Sequence, residues 1–453
     1  MSDGSVGPLE ILPQPPRTSQ HPDVLLIEHS GPLAGSVVVS GAKNAALPIL
    51  AACLLTDDES CISRIPQVTD VVTMASILHV LGLETRWQDD ELIVQPGPSK
   101  SWSAPYELVS MMRASICVLG PLLARFGRAR VSLPGGCVIG PRPIDLHLKG
   151  LEALGAHVVI DHGDIVAQAD RLVGATVHLA GAFGSSVLAT ANVMMAASLA
   201  EGVTVIERAA CEPEVVDLAN FLSAMGAKVS GQGTSSIRIE GVPRLHGVAY
   251  DIIPDRIEAG TLMIAAAMLG GDVYVDGARA EHLGALIDKL CEANVSIEHL
   301  DDGLGVRSDR RLKAVEITTM AFPGFPTDLQ AQMMAMMTIS DGRSVVTEKI
   351  YPERFMHVPE LRRMGAKIVQ EGPSAIVTGV QRLEGAPVMA SDLRASAALV
   401  LAGLAADHQT QLNGLEHLDR GYECVERKLS QLGARIRRER VTAEESCRPV
   451  GSG

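Results

Sequence analysis

Aromatic side chains are scarce in this 453-residue chain, at 3% of residues, so a core must be built from Ala, Leu, Val, Ile and Met. A surplus of positive charge is also missing. The formal net charge of −14 excludes a broad nucleic-acid footprint, although a few arginines gathered in a cleft can still hold an anion. The eight cysteines (53, 61, 117, 137, 211, 291, 424 and 447) contain no C-x-x-C pair and no zinc-like His/Cys spacing. They read as reduced thiols of a cytoplasmic protein, with no metal site and no cofactor expected. A secretory signal is absent as well. Residues 1–23 are rich in Pro and Ser and lack a basic start and an apolar centre, so a disordered tail is expected there, with a flexible tail at 441–453. The stretch 175–200 carries no charge, but Gly181, Gly184, His178, Ser185, Ser186 and Asn192 interrupt it. A buried strand followed by a buried helix fits it better than a membrane span.

What the chain does have is a repeat. An apolar helix end running into Gly and then a strand recurs at Gly82, Gly155, Gly226, Gly365 and Gly433, with Asn294 in the fourth copy. The interval is roughly 70 residues, the mark of internal duplication. Gly, with Asn as its usual substitute, predicts a left-handed helix C-cap at each of these positions. Each copy also holds an Ala-rich, charge-poor helix: 45–55, 106–124, 186–199, 257–269, 328–339 and 392–405. Strands are predicted at 37–39, 157–160, 203–206, 273–275, 314–318 and 344–347. Helices this poor in charge must lie inside, covered by sheets. Ser230-Gly-Gln-Gly-Thr-Ser235 lacks a P-loop Lys and a following helix, and reads as a hairpin turn.

Pro134-Gly-Gly-Cys-Val-Ile-Gly-Pro-Arg-Pro143 sets Cys137 among glycines and prolines, with Arg142 five residues on. The composition suits a loop that carries chemistry and closes over a substrate, the thiol beside an anion-binding guanidinium. A buried free Cys beside a surface turn is the plainer alternative. Other polar residues stand at the starts of the buried helices: Lys43-Asn44, Arg113, Asp255-Arg256, Asp328 and Asp392-Leu-Arg394. Asp328 taken alone reads as a helix cap. Lys43 and Arg394 instead oppose the helix dipole, which makes sense if an anion sits between charge and helix end. Arg354 and Arg420 fall in turn-like stretches, and each alone reads as a surface or structural ion pair. Placed in equivalent parts of a repeated module, such cations could converge on one cleft. His147, His357 and His417 have no ligand spacing and read as structural.

Together, Ser40-Gly-Ala-Lys-Asn-Ala-Ala-Leu-Pro48, the Cys137 loop, Phe325-Pro-Thr-Asp-Leu-Gln330, Arg354-Phe-Met-His-Val-Pro359 and Asp392-Leu-Arg-Ala-Ser396 resemble the enolpyruvyl transferases of the EPSP synthase family. The resemblance runs from about 26 to 432. It implies an α/β fold: a two-globe inside-out α/β barrel of six βαβαββ-type modules, three per globe. Globe I would be 24–43 plus 254–440, and globe II 44–253 with the Cys137 lid. The implied reaction moves the enolpyruvyl group of phosphoenolpyruvate to the 3-hydroxyl of UDP-N-acetylglucosamine and releases phosphate, the first committed step of peptidoglycan synthesis. The Cys lid is what sets this branch apart from the shikimate-pathway one. In these roles Cys137 is the general acid and adduct-forming thiol, and Asp328 the base or aligner of the acceptor hydroxyl. Lys43, Asn44, Arg142, Arg354, Arg394 and Arg420 would hold phosphoenolpyruvate. Arg113, Arg142, Pro143, Ile144, Asp145, Leu146, Ser186, Val187, Asp328 and Ile350 would hold the uridine nucleotide. No protein partner, nucleic acid or membrane is implied. Three departures from the family pattern lie near the expected diphosphate: Leu188 for Gly, Gly184 for a Lys, and Cys211 for a basic residue. They leave open a paralogue acting on the ribose 3-hydroxyl of UMP, and a non-catalytic nucleotide-binding paralogue.

Overall fold

The computed structural model describes residues 23–133, 144–182, 184–309 and 312–440. Among these residues six four-stranded sheets share one strand pattern: a parallel pair at one edge, followed by two antiparallel pairings. Each sheet belongs to a βαβαββ unit, as in Ser103–Ala104, the helical stretch 106–126, Arg128–Ser132, Asp145–Ala153, His157–Asp161 and Asp164–Gln168. The first helix of each unit is the inner one. In Arg256–Leu269 every residue after Arg256 is buried, and in Leu393–Ala405 burial runs unbroken from Arg394 to Leu404. Their Ala and Gly content lets backbones approach closely. A Cβ at Gly120 would stand 2.3 Å from the Asn192 carbonyl oxygen on a neighbouring inner helix.

Outer helices such as Thr69–Leu81 and Pro213–Ala224 end at the repeated signature. Gly82, Gly155, Gly226, Asn294, Gly365 and Gly433 all take positive φ, between 72° and 104°. The sequence expectation therefore holds at all six positions, including the Asn. The uncharged stretch 175–200 is a strand, Thr176–His178, and a buried helix, Val187–Ala197. No described helix is long and apolar enough to cross a membrane. Residues 230–235 join the antiparallel pair Lys228–Ser230 and Ser236–Glu240, the expected hairpin.

Two expectations change. The single helix predicted over 106–124 is three pieces, Tyr106–Val109, a 3-10 turn Arg113–Val118, and Leu119–Phe126. Met112 is extended (φ −146°, ψ 129°), which breaks the first from the second. Pro121 is accommodated in the first turn of the last piece, where no N–H is needed. The strand predicted over 314–318 shortens to Ile317–Thr318, which pairs with Val346 and Thr347; Lys313 makes only an isolated bridge to Asp341.

Two hydrophobic cores result. One runs without interruption in sequence from Ala42 to Ile252, and the other joins residues 25–39 to residues 257–436. The chain crosses between them twice, and the crossings exchange strands. Leu33–Val38 pairs with Gly271–Asp276 in one globe but leads into helix Lys43–Ala52 of the other. Ala249–Asp251 pairs with Ser60–Ser63 and leads into Arg256–Leu269. The two crossing segments bond to each other, Ala42 N donating to Ile253 O at 2.8 Å and Asp255 N to Ser40 O at 2.8 Å. Several of the charged helix starts lie on or beside this joint.

Candidate active site

Lys43 is the first residue of its helix and is buried there. Its Nζ lies 2.8 Å from Asp70 Oδ2, and Arg420 Nε from the other core lies 2.9 Å from Asp70 Oδ1. Burial by itself would raise the Asp70 carboxyl, but the two cations overcome it and hold the group below its ordinary range. The anion expected opposite Lys43 is thus, here, a carboxylate of the chain. Sequence reasoning missed Asp70, because an acid in the first turn of a helix is unremarkable on its own.

The second cluster centres on Asp328. The expectation of a cap is overturned: the residue lies in a 3-10 turn, Thr327–Leu329, and its side chain caps nothing. Instead Oδ1 accepts from Arg354 at 2.8 Å and Oδ2 from Arg394 at 3.1 Å. Burial would raise this carboxyl, yet the Arg394 and Arg354 guanidinia hold it well below the usual carboxylate range. Arg354 is 6% exposed, so its ion pair is a structural one rather than a surface one, and Arg394 beside it is 3% exposed. Arg354 also donates to Thr327 Oγ1 at 3.0 Å, and Thr327 donates to the buried Glu348 at 2.9 Å. Glu348 further accepts the backbone N–H groups of Ile350 and Tyr351, which sets the turn carrying Ile350. Asp392 is a true cap, accepting from Arg394 N and Ala395 N.

Asp255 connects the clusters. It caps Arg256–Leu269, accepts the Lys43 N–H at 3.2 Å, and adds to the negative field at Arg394. Arg256 meets Glu214 through two bonds, 2.9 and 3.2 Å long, in a pair spanning the two cores with both partners nearly buried. Neither residue has a role legible in the sequence.

The elements that carry Arg113, Ile144 to Leu146, Ser186 and Val187 meet at Asn192, on the buried helix Val187–Ala197, whereas Asp328 and Ile350 lie in the other globe. The Asn192 amide oxygen accepts from Gly120 N at 2.8 Å, and its nitrogen is 2.9 Å from both Ile116 O and His147 Nδ1. This ties together the Arg113–Val118 turn, the Asp145–Ala153 helix and the helix capped by Ser186, whose hydroxyl accepts from Ala189 N at 3.3 Å. Burial, with Arg113 nearby, pushes His147 down to about 3, so it is a neutral structural group as expected. Ile144 and Leu146 rest partly buried against the same core, and Asp145 is exposed beside them. Leu188 also packs against that core with Val187. Asn44 is half-buried at the second position of its helix. Cys137, Arg142 and Pro143 lie outside the described residues.

Residues 27–429 match the family profile described as EPSP synthase (3-phosphoshikimate 1-carboxyvinyltransferase). The chain is 54% identical over 413 residues to a UDP-N-acetylglucosamine 1-carboxyvinyltransferase of Methylacidiphilum infernorum, covering 91% of this chain and 98% of that one. It is 54% identical over 423 residues to the protein of the same name from Myxococcus xanthus, covering 92% and 100%. Among solved structures, the enolpyruvyl transferase NikO from Streptomyces tendae superposes with a TM-score of 0.83 at 25% identity, over 93% of this chain and 100% of that one. An EPSP synthase from Acinetobacter baumannii does so at 0.71 and 15% identity, over 92% and 100%, a likeness of fold alone.

Proposed function

This chain belongs to the EPSP synthase family of enolpyruvyl transferases, and from that premise we propose that it transfers the enolpyruvyl group of phosphoenolpyruvate to the 3-hydroxyl of UDP-N-acetylglucosamine. The observation that carries the chemistry is the pairing of four cations in two clusters, Lys43 with Arg420 and Arg354 with Arg394, each about one carboxylate at the joint between the globes. Globe I is taken as 24–43 plus 254–440 and globe II as 44–253, with Lys43 at the boundary opening the first globe II helix, and the two close on each other around the substrates.

Phosphoenolpyruvate brings a phosphate and a carboxylate, and Lys43, Arg142, Arg394 and Arg420 grip them, with Asn44 alongside and Arg354 supporting closure. Arg113, Ser186, Val187, residues 142–146 and Ile350 receive the uridine nucleotide. Asp328 aligns the acceptor hydroxyl or takes its proton; its depressed carboxyl keeps it an anion at neutral pH. The acceptor oxygen bonds to C2 as Cys137 gives a proton to C3. The tetrahedral adduct then loses phosphate from C2 and a proton from C3, which restores the double bond as an enol ether. Fixed guanidinium groups stabilise the charge that builds on the phosphate and carboxylate. The six described cysteines are all free, as a reducing cytoplasm would keep them.

The test is phosphate release from phosphoenolpyruvate with UDP-N-acetylglucosamine or UMP as acceptor. Turnover is expected with the sugar nucleotide, and Cys137→Ala should lower it by about 10²–10⁴-fold. Cys137→Asp is expected to keep part of the activity. Turnover with UMP alone would replace the acceptor, and nucleotide binding without any phosphate release would make the chain non-catalytic.

A further inference from the structure

Beneath the Asp328 cluster, three inner helices of globe I and the segment bearing Arg420 meet at one phenol. Tyr422 is 2% exposed, and its oxygen lies 2.9 Å from Thr261 Oγ1 and 3.1 Å from Gln332 Nε2. Thr261 donates its own hydrogen to Ile257 O at 2.8 Å, so its oxygen is left to accept from the phenol. Gln332 Nε2 has two hydrogens. One goes to the backbone oxygen of Asp328 at 3.0 Å, and the other is shared between the Tyr422 oxygen at 3.1 Å and Thr261 Oγ1 at 3.2 Å. Counting hydrogens therefore makes Gln332 a donor to the Tyr422–Thr261 pair, Tyr422 a donor to Thr261, and Thr261 a donor to Ile257. On the other side, the Tyr422 ring lies under the Arg394 guanidinium, 5.3 Å from its carbon to the ring centroid.

We propose that Tyr422 is a positioning residue of the anion clamp: its ring supports Arg394, and its hydroxyl, through Gln332, fixes the turn that carries Asp328. The proposal rests on the enolpyruvyl-transfer reading and adds a residue to it. The network buries a phenol and leaves Gln332 Oε1 with no partner. Such groups are worth burying when they fix geometry. The hydroxyl also interacts with the Arg394 guanidinium, so Gln332→Met, which spares the phenol, is the variant that cuts the link to Asp328 alone. Tyr422→Phe keeps the ring and cuts the hydrogen-bond chain at its centre.

Steady-state phosphate release, with a separate calorimetric titration of phosphoenolpyruvate, decides the matter. Tyr422→Phe should lower kcat by about 5–10-fold through Asp328 and leave the KM for phosphoenolpyruvate within about 2-fold. Gln332→Met should reproduce that pattern. Tyr422→Leu should in addition raise the KM and the titrated Kd for phosphoenolpyruvate by about 3–10-fold, by withdrawing support from Arg394. The proposal is overturned if Tyr422→Phe matches the wild type, or if both substitutions only lower Tm, or if they scale kcat and KM alike. A wild-type protein that binds phosphoenolpyruvate but does not turn over UDP-N-acetylglucosamine would sink the acceptor assignment instead. The titration of Tyr422→Leu would still judge the role of the ring.

Discussion

Asp217 carries a titration that belongs to the scaffold of globe II. Burial lifts its carboxyl from 3.8 to about 6, against the pull of Tyr250, whose hydroxyl donates to Oδ1 at 2.7 Å, and of the Ile253 N–H. Arg279 lowers it further from a distance, while Glu214 works the other way. The folded state therefore binds this proton more tightly than the unfolded chain. Its contribution to stability is complete below about pH 4 and is lost as pH rises through 6. Urea unfolding of wild type and Asp217→Asn across pH 4–7 should show the difference between them changing by about 2 kcal/mol, with the variant gaining toward neutral pH. At this same scale the sequence revealed its cations better than its anions. Lys43 and Arg394 stood out because a positive charge at a helix start is unfavourable. Asp70 looked like an ordinary first-turn acid and Asp328, taken alone, like a helix cap; only the fold shows that each is held between two cations from distant segments. Tyr422 and Gln332 gave no signal, since one phenol and one amide in apolar surroundings have no spacing to read.

The repeated helix end is the element that sequence read best, because it depends on a local backbone conformation. The six left-handed positions are not equal, however. At Gly155 an added Cβ meets nothing closer than Arg171 O at 3.9 Å, so Gly155→Ala should cost only the backbone term, about 1–2 kcal/mol. At Gly82 the same atom would stand 1.8 Å from the Ser99 carbonyl oxygen. Gly82→Ala should therefore cost clearly more, or fail to fold, and denaturant midpoints of the two variants provide the comparison. Elements governed by tertiary partners were less legible. The break at Met112 and the short Ile317–Thr318 strand depend on what the neighbouring segments offer, which a linear pattern does not record.

Across the whole molecule, the joint between globes is held by charge as well as by backbone. Arg256 and Glu214 face each other from opposite cores with both side chains at most 10% exposed. Removing one partner strands the other in a dry place, and Arg256→Met or Glu214→Leu alone should cost about 3–5 kcal/mol. The double substitution should recover most of that loss, as read by thermal unfolding of all four proteins. The six-unit architecture was visible from the repeat. The strand exchange at the joint was not visible in the repeat, because Leu33–Val38 and Ala249–Asp251 each look continuous with the helix that follows; globe limits that set 24–43 beside 254–440 came from the family resemblance alone. A similar interleaving closes globe I, where Asp23–Ile27 lies between Thr410–Asn413 and Ile436–Arg440. During synthesis on the ribosome, globe II can bury its core once Ile252 has emerged. The first strand of globe I must wait, unpaired, until nearly the last residues of the fold have been made. Newborn chains will pass through a stage with one globe finished and the other held open, and that stage is where a chaperone would find them.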